Sequence, residues 1–493
     1  MTKSKKLNRQ MGLLALVATG VCSMLGASIY VVPFMLQRNV PGIGPYVLHA
    51  FVFAAIPAVL AALSYATLAS AMPRAGGSYI YASRGLNPYL GFIASFSQWF
   101  GLSIVIGVIA YITVPFIRDV TLTLGWETIS NYLEIGWIRV LIALLLIWTF
   151  VWINIRGIKS YERILLPMMF VMFALGSIVI FSGFGSNTEE FLSAIKIKNG
   201  VSFTPITTIE FDWNIFLSAA AILFSSFIGF DSIAQAGGEA KNPTKLLPRA
   251  ILLAIFGVGI FYFLFVAAVY NTVPWSFVAA QSLEKDISAP GLLSYILQPA
   301  LGVAILAGAA IALINDLPAM LLSVSRLMFA WAKDGIFPSN ITSIHSTYKT
   351  PYVALIIAGV MATVGVLGSH FAGDFFLGID IMVTSMMVNF LLMCVTLLTI
   401  TFKNPKLAKE IKVFKNRSSQ LCIAISGIMC LLAFLCIHIY KDLNTTTQAW
   451  YFHSTLIWLI VMTMASVIFL YKWKILKNNV ADISKHFLNL PEE

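Results

Sequence analysis

Twelve apolar stretches divide this chain, and most of them run for about 20 residues or more, the length that an α-helix needs to cross a membrane. At that depth every backbone N–H and C=O group must be paired within the protein, so only helices and closed barrels can span the bilayer. The sequence therefore predicts an all-α integral membrane protein. Its spans, numbered 1 to 12 in chain order, are residues 11–37, 46–71, 89–117, 138–154, 163–184, 213–236, 249–271, 299–332, 351–369, 375–402, 419–440 and 450–472.

The composition excludes several other classes of protein. Only 11% of the 493 residues are charged, whereas a soluble domain carries about 25%. The net charge of +11 does not indicate nucleic-acid binding, because the basic residues are confined to the connections between spans. The five cysteines and six histidines lack the spacing of a metal site or a disulfide framework. We therefore expect no metal, no cofactor, no catalytic residues and no nucleic-acid partner.

The sign of the charge alternates from one connection to the next. Basic residues follow the even-numbered spans, while the other connections are acidic or mixed. Because cytoplasmic loops carry an excess of Lys and Arg, the pattern predicts that both termini are cytoplasmic. The basic start of the chain lacks a signal-peptide cleavage site, so we expect span 1 to be retained. The basic residues that set the pattern include Arg74 and Arg84, Arg156 and Lys159, Lys241 and Lys245, Lys333, and those within 403–417.

Small residues interrupt span 1 where a crossing helix should be continuous. Gly26, Ala27 and Ser28 follow one another there, and glycine in a helix interior costs about 1 kcal/mol relative to alanine. A break exposes the N-terminus of the outer half-helix, whose free N–H groups suit an anion. We hypothesise that the amides of Ala27, Ser28 and Ile29 hold a substrate carboxylate, with Ser23 as a further candidate. The alternative is that Gly26 only permits close helix packing.

Span 6 carries a matching interruption. It places a glycine and an ionisable carboxyl group within an apolar stretch, at Phe227, Ile228, Gly229, Phe230 and Asp231. Spans 1 and 6 are five spans apart, and because five is odd, two five-helix repeats would insert in opposite orientations. Paired interruptions in inverted repeats indicate a transport site at the middle of the membrane. The predicted repeats are residues 11–184 and 213–402, followed by peripheral helices at 419–472, with cytoplasmic tails at 1–10 and 473–493.

Four motifs on the expected spans carry a resemblance to a known family. They are Gly26-Ala27-Ser28-Ile29-Tyr30 in span 1, residues 71–81 after span 2, Phe227-Ile228-Gly229-Phe230-Asp231 with Glu239-Ala240-Lys241-Asn242-Pro243 in and after span 6, and Ser325-Arg326 with residues 332–338 at the end of span 8. In these residues the chain resembles the amino acid–polyamine–organocation (APC) transporter superfamily, which has the LeuT-type fold. The resemblance covers about the first 340 residues.

The resemblance implies secondary transport of amino acids or related amines in the cell (inner) membrane, with ten core helices and two peripheral ones. It assigns the substrate carboxylate to the amides of span 1 and the amine to carbonyl groups near Phe227, Ile228 and Phe230. It also implies an aromatic gate, with Phe227 and Phe230 as candidates. The implied partners are a small-molecule substrate and membrane lipid, and the protein is expected to be a monomer or a homodimer.

Two departures from the family pattern concern the coupling ion. Thr67 stands in span 2 where relatives often have Glu, and residues 164–184 of span 5 lack the Lys of some proton-coupled relatives. Coupling to Na⁺, coupling to H⁺ through another carrier, and exchange without a coupled ion all remain open.

Acidic and hydroxyl side chains within the spans are the candidates for coupling. Asp231 is expected to bind a substrate cation or a proton, because an intramembrane charge costs at least about 2.5–3.5 kcal/mol. Its alternative is a structural carboxylate that pairs freed backbone N–H groups. Asp316, next to Pro318 in span 8, could hold a proton or cation or accompany a kink. Ser323 could help to hold Na⁺, or bond its own backbone.

For the other polar residues in and beside the spans, the sequence predicts a structural role or leaves several roles open. For Ser325 the alternatives are those of Ser323, and Gln98 and Trp99 could line the cavity. Asp380 is expected to be solvated, and Glu239 is expected to form an inner gate or a packing pair near Lys241.

Two other functions are alternatives to transport. An amino-acid sensor on a transporter scaffold would be favoured by large soluble tails, but the expected tails are short. A membrane-embedded lipid-modifying enzyme would need clustered acids for a metal–diphosphate or a His–acid pair at a membrane face. Neither pattern occurs in the sequence, so a permease or exchanger is the preferred interpretation.

Overall fold

The computed structural model describes residues 7–200, 202–284, 287–372, 375–446, 449–479 and 482–492. Within them the chain is helical, and extended backbone pairs only in two isolated bridges, Met11 with Ala240 and Ala75 with Ala236. The unbroken spans are Val47–Ala71, Pro88–Thr123, Gly136–Ile155, Ile158–Gly185, Pro243–Thr272, Pro299–Lys333, Tyr352–Ala372, Phe375–Lys403, Arg417–Asn444 and Ser454–Asn479. They are spans 2 to 5 and 7 to 12.

Eleven helices of the described chain are long and apolar enough to cross a membrane, and a shorter apolar helix, Leu13–Met24, precedes them. The shorter helix is the first part of span 1. The prediction of a multi-pass all-α membrane protein is therefore confirmed. The division into two inverted repeats, with the boundaries given above, stays a prediction.

Short helices that the sequence reading did not anticipate lie between the spans. Two of them begin after a residue whose side chain caps the helix, Asn187 and Asp482. Thr188–Asn199 begins with a capping box, in which the Asn187 side chain accepts from the Glu190 backbone N–H at 2.9 Å. The main short helices are Gly77–Gly85, Glu127–Glu134, Thr188–Asn199, Trp275–Glu284 and Ile483–Leu488.

Span 1 is broken where the sequence predicted it. The helix Leu13–Met24 has Leu25 as its C-cap. A short helix, Ala27–Tyr30, follows, and the helix Val32–Asn39 completes the span. The backbone N–H of Gly26 turns back to the carbonyl of Met24 at 3.0 Å. The ladder of regular helical hydrogen bonds is therefore interrupted within the apolar stretch.

Span 6 is broken as well. The helix Trp213–Leu223 tightens into a 3₁₀ turn, Phe224–Phe227, and a helical segment resumes only at Ser232–Gln235. Between them Ile228 is extended and Gly229 has φ +137°, a conformation that residues with a Cβ rarely adopt. Glycine at position 229 is thus part of the break itself.

The two breaks lie against each other. A Cβ atom on Gly229 would overlap the backbone carbonyl of Ser23, and the hydroxyl groups of Ser23 and Ser232 are hydrogen-bonded at 3.0 Å. Around this contact, span 3 packs along spans 8, 9 and 10, while span 7 packs against spans 1 and 2. The bundle therefore encloses the contact between the breaks.

Replacing Gly229 with alanine should destabilise the protein by about 1–3 kcal/mol, because the side chain meets both a positive φ and the Ser23 carbonyl. The midpoint of thermal unfolding in detergent would measure the effect. Gly257→Ala in span 7 is the matched control, since a Cβ there meets nothing within 4 Å. Equal midpoints for the two variants would contradict the account of the break.

Candidate functional site

A cavity of about 50 Å³ lies between the two breaks. Five spans contribute to its wall, and the wall is mostly apolar. Three methionines are among the lining residues, and methionine side chains adapt readily to the shape of a neighbour. The lining residues are Ser23, Met24, Val32, Val105, Ile109, Ser225, Ile228, Asp316, Met320, Ile379 and Met382.

Asp316 is the single ionisable residue among those that line this cavity. Its carboxyl group fills the space beside Gly26, where any Cβ would overlap Oδ2. The side chain is 3% exposed, and its Oδ1 has no hydrogen-bond partner within the described chain. Because an unpaired buried charge is costly, this carboxyl group is suited to a proton or to another cation.

The predicted site residues of span 1 are distributed unequally. Ser23 lines the cavity, and Gly26 is the point at which Asp316 approaches the break. Ile29 is buried in the following short helix. Ala27 and Ser28 begin that helix, and their side chains and contacts lie outside the described residues. The hypothesis that these amides hold a carboxylate stays a prediction.

The predicted site residues of span 6 separate into two groups. Ile228 lines the cavity. Phe227 instead packs on Phe51, with ring centroids 5.0 Å apart, and Phe230 stacks on Phe390 at 4.9 Å. Neither aromatic ring is among the residues that line the cavity.

Asp231 is fully buried but does not line the cavity. Its Oδ1 accepts from the backbone N–H of Gly229 at 3.2 Å, and its Oδ2 accepts from the side chain of Gln98. These are the contacts expected from the structural alternative, in which the carboxylate pairs a backbone group freed by the break. The roles of substrate ligand and proton carrier stay predictions for this residue.

Gln98 is the centre of a buried polar network that sequence reasoning missed. Its Oε1 accepts from Gln235 and from Asn389, each at 3.3 Å. Asn389 also donates to the hydroxyl of Tyr65 at 2.7 Å, and that hydroxyl lies 2.7 Å from the Ser78 hydroxyl. The network joins spans 2, 3, 6 and 10 to helix Gly77–Gly85. Trp99, the neighbour of Gln98, packs on Phe96 and Trp331 rather than on the cavity.

The remaining polar candidates of spans 8 and 10 have different surroundings. Ser323 is buried, and within the described chain its hydroxyl has no partner. Ser325 donates to its own helix, at the Leu322 carbonyl 2.8 Å away. Asp380 is half-buried next to the lining residue Ile379.

Two buried ion pairs lie at one end of the bundle. We call this end the basic face and define it by Arg74, Arg84, Arg326 and Asn404. Arg326 holds Glu239 with two hydrogen bonds, of 3.0 and 2.6 Å. The sequence predicts an inner gate or a packing pair for Glu239 near Lys241, and the ion-pair partner of Glu239 comes from span 8. Arg84 similarly holds Asp334 with both terminal nitrogens.

The lining residues that sequence reasoning missed are apolar, apart from Ser225. Val105, Ile109, Met320, Ile379 and Met382 have no chemical signature, since the same residue types cover the lipid-facing surface. Only the helical phase distinguishes the two groups, and the spans are too uniformly apolar to reveal it.

We expect Glu239→Gln to destabilise the protein by about 3–5 kcal/mol, because it leaves the Arg326 guanidinium buried without its counter-charge. Glu134→Gln is the control: this Glu pairs with Arg118 in an exposed position, and its loss should cost less than about 1 kcal/mol. Thermal unfolding of both variants in one detergent makes the comparison. A Glu239 variant as stable as the control would mean that the buried pair is dispensable.

Comparison with known proteins gives a consistent result. The sequence profile of the amino acid permease family matches residues 11–465. The branched-chain amino acid permease BcaP of Bacillus subtilis is 25% identical, over 96% of this chain and 95% of that protein. The low-affinity putrescine importer PlaP of Escherichia coli is 24% identical over 85% of each chain. The methylthioribose transporter of Bacillus subtilis is 25% identical over 74% of this chain and 76% of that protein.

Proposed function

The chain belongs to the amino acid permease family, and we propose that it moves its substrate by alternating access through the cavity between the two helix breaks. As a multi-pass membrane protein of this family it transports amino acids or related amines and is not an enzyme. The observation that carries the proposal is the meeting of Ser23, Ile228 and Asp316 at one cavity. A substrate held there would contact both broken helices.

The wall of the cavity favours a substrate with an aliphatic side chain. Most of its lining residues are Val, Ile or Met, and a ligand that buries apolar surface against them gains binding free energy. A zwitterionic head group would lie at the breaks, with its carboxylate on the amides of span 1 and its amine on the carbonyls of span 6. The name of the Bacillus subtilis relative BcaP, a branched-chain amino acid permease, is in keeping with this substrate class.

A diamine such as the putrescine of the relative PlaP fits the cavity less well. A diamine carries two ammonium groups, each of which needs an acceptor or counter-charge when it leaves water. Among the described lining residues Asp316 is the single carboxylate, and Asp231 is already engaged by Gly229 and Gln98. The site thus offers one counter-charge where a diamine needs two.

Asp316 is the group that we assign to coupling, with H⁺ as the ion. The other polar side chains of the lining are the hydroxyls of Ser23 and Ser225, and Asp316 is its one carboxylate. A proton needs one acceptor, whereas Na⁺ needs several oxygen ligands. A protonated Asp316 would be neutral beside Gly26, which removes the cost of its charge.

The proposal includes the orientation that the charge pattern predicts. Both termini would lie in the cytoplasm, which makes the basic face the cytoplasmic one. The protein would act in the cell membrane, as a monomer or as a homodimer of independent subunits, because the cavity is formed by one chain.

The carboxamide variant Asp316→Asn should separate exchange from accumulation. With one proton per substrate, a difference of one pH unit, about 1.4 kcal/mol, supports at most about tenfold accumulation in proteoliposomes. We expect the wild type to approach this ratio and Asp316→Asn to show none, while counterflow exchange of labelled substrate continues.

Asp231→Asn is the matched comparison: it should transport more slowly, because it weakens the pairing of Gly229 and Gln98, but its remaining transport should still follow the pH gradient. Accumulation by Asp316→Asn, or accumulation by the wild type that follows a Na⁺ gradient instead, would overturn the assignment of coupling. Failure of the wild type to exchange any amino acid or amine would overturn the proposed function itself.

Competition assays should show selection for aliphatic side chains. We expect unlabelled leucine, isoleucine and valine to inhibit uptake of labelled leucine, and putrescine to leave it unchanged. Val105→Thr, which adds a hydroxyl to the wall at nearly constant volume, should weaken the apparent affinity for leucine about tenfold. Val52→Thr, whose side chain is exposed on span 2, should leave it unchanged. Strong inhibition by putrescine, or equal affinities in the two variants, would contradict the assignment.

A further inference from the structure

The last described residues of the chain, 482–492, form a segment that we call the C-terminal strap. It contains the helix Ile483–Leu488, whose first turn is capped by the Asp482 carboxylate at 3.0 Å from the Lys485 backbone N–H. The segment then crosses the basic face in extended form. No residue of the strap is among those that line the transport cavity. The strap approaches one ion pair, since Nε2 of His486 lies 3.7 Å from the Asp334 carboxylate.

The strap is held by one buried aromatic side chain. Phe487 is 5% exposed, and its ring lies 5.5 Å from that of Trp473 at the end of span 12. The guanidinium of Arg84 lies 5.1 Å from the centre of the same ring. Stacking on an aromatic and contact with a cation are both favourable for a phenyl ring. The neighbouring Leu488 is, by contrast, 48% exposed.

Three side chains of the basic face also bind the backbone of the strap. Arg84 donates to the carbonyl of Asn489 at 3.2 Å, and Arg74 donates to that of Pro491 at 3.0 Å. Asn404, at the end of span 10, donates to the carbonyl of Leu488 at 2.9 Å. A loosely associated tail would leave these carbonyls to water, so the contacts describe a docking site with the strap as its occupant.

Arg84 connects this docking site to the broken span 6. It belongs to helix Gly77–Gly85 and is paired with Asp334 at the end of span 8. The same helix is hydrogen-bonded to span 6 through Gln235. The side-chain amide of Gln235 donates to the Ser78 hydroxyl at 2.6 Å, and its backbone carbonyl accepts from the N–H of Gly76, just before the helix, at 3.1 Å. These hydrogen bonds connect the end of span 6 at Gln235 to the helix that carries Arg84.

We propose that the C-terminal strap holds the basic face closed and must leave its docking site before that face opens. The strap ties helix Gly77–Gly85 to the ends of spans 10 and 12, so span 6 cannot move away while it is docked. This function goes beyond substrate binding and rests on the alternating access proposed above. Release of the strap would limit the rate at which the cavity opens toward the basic face.

The test compares Phe487→Ala with Leu488→Ala in the full-length chain. Two quantities are measured: hydrogen exchange of the backbone amides of helix Gly77–Gly85, and counterflow exchange of labelled substrate in proteoliposomes. Removing the ring should raise both rates about five- to tenfold, because its contacts with Trp473 and Arg84 are lost. The alanine at position 488 removes an exposed side chain and should change neither rate.

Trp473→Ala approaches the same contact from the opposite partner. Because Phe487→Ala already removes the contact with Trp473, the double variant should be no faster than Phe487→Ala alone, while Trp473→Ala, which keeps the contact with Arg84, should show a smaller increase. Unchanged hydrogen exchange in Phe487→Ala would show that the strap is not docked as described. Faster hydrogen exchange with unchanged or slower transport would show that docking does not restrain opening. Because hydrogen exchange is independent of transport, failure of the docking is distinguishable from failure of the proposed function.

Discussion

Peptide groups freed by a helix break are costly inside a membrane, and the arrangement of this protein depends on how they are paired. The carbonyl of Met24, at the end of the first helix of span 1, accepts from the hydroxyl of Tyr262 in span 7. The N–H of Gly229 in the break of span 6 is taken by Asp231. Side chains thus replace the missing helical partners, and the breaks can persist without facing lipid.

This pairing gives different roles to Asp231 and Asp316, two carboxyl groups that look equivalent in the sequence. Asp231 is occupied by a backbone amide and by Gln98, so a change in its charge would disturb the break and the network behind it. Asp316 lies at the cavity, and its Oδ1 has no hydrogen-bond partner among the described residues. Of the two, it is Asp316 whose charge can change during a transport cycle without removing a structural hydrogen bond.

Much of the fold could be predicted from the sequence, because the length of an apolar stretch indicates a membrane-spanning helix and small residues within it indicate a helix break. The breaks at Gly26 and Gly229 were found in this way. The site could be predicted only in part. The sequence predicts an inner gate or a packing pair for Glu239, but it does not reveal the partner, Arg326, which is 87 positions away. The apolar wall was missed because helical phase is unreadable in spans that are apolar on every side.

The two ends of the bundle differ in the kind of charge pair that closes them. At the basic face Glu239 with Arg326 and Arg84 with Asp334 are almost completely buried, whereas Arg118 and Asp119, at the other end, are 33% and 41% exposed. A buried pair cannot be separated into an apolar environment, because each charge would lose its partner without gaining water. Opening of the basic face therefore requires that water enter as the pairs part. The strap covers Arg84 and so lies where that water must arrive. Detachment of the strap would therefore expose the Arg84–Asp334 pair to the water that its separation requires.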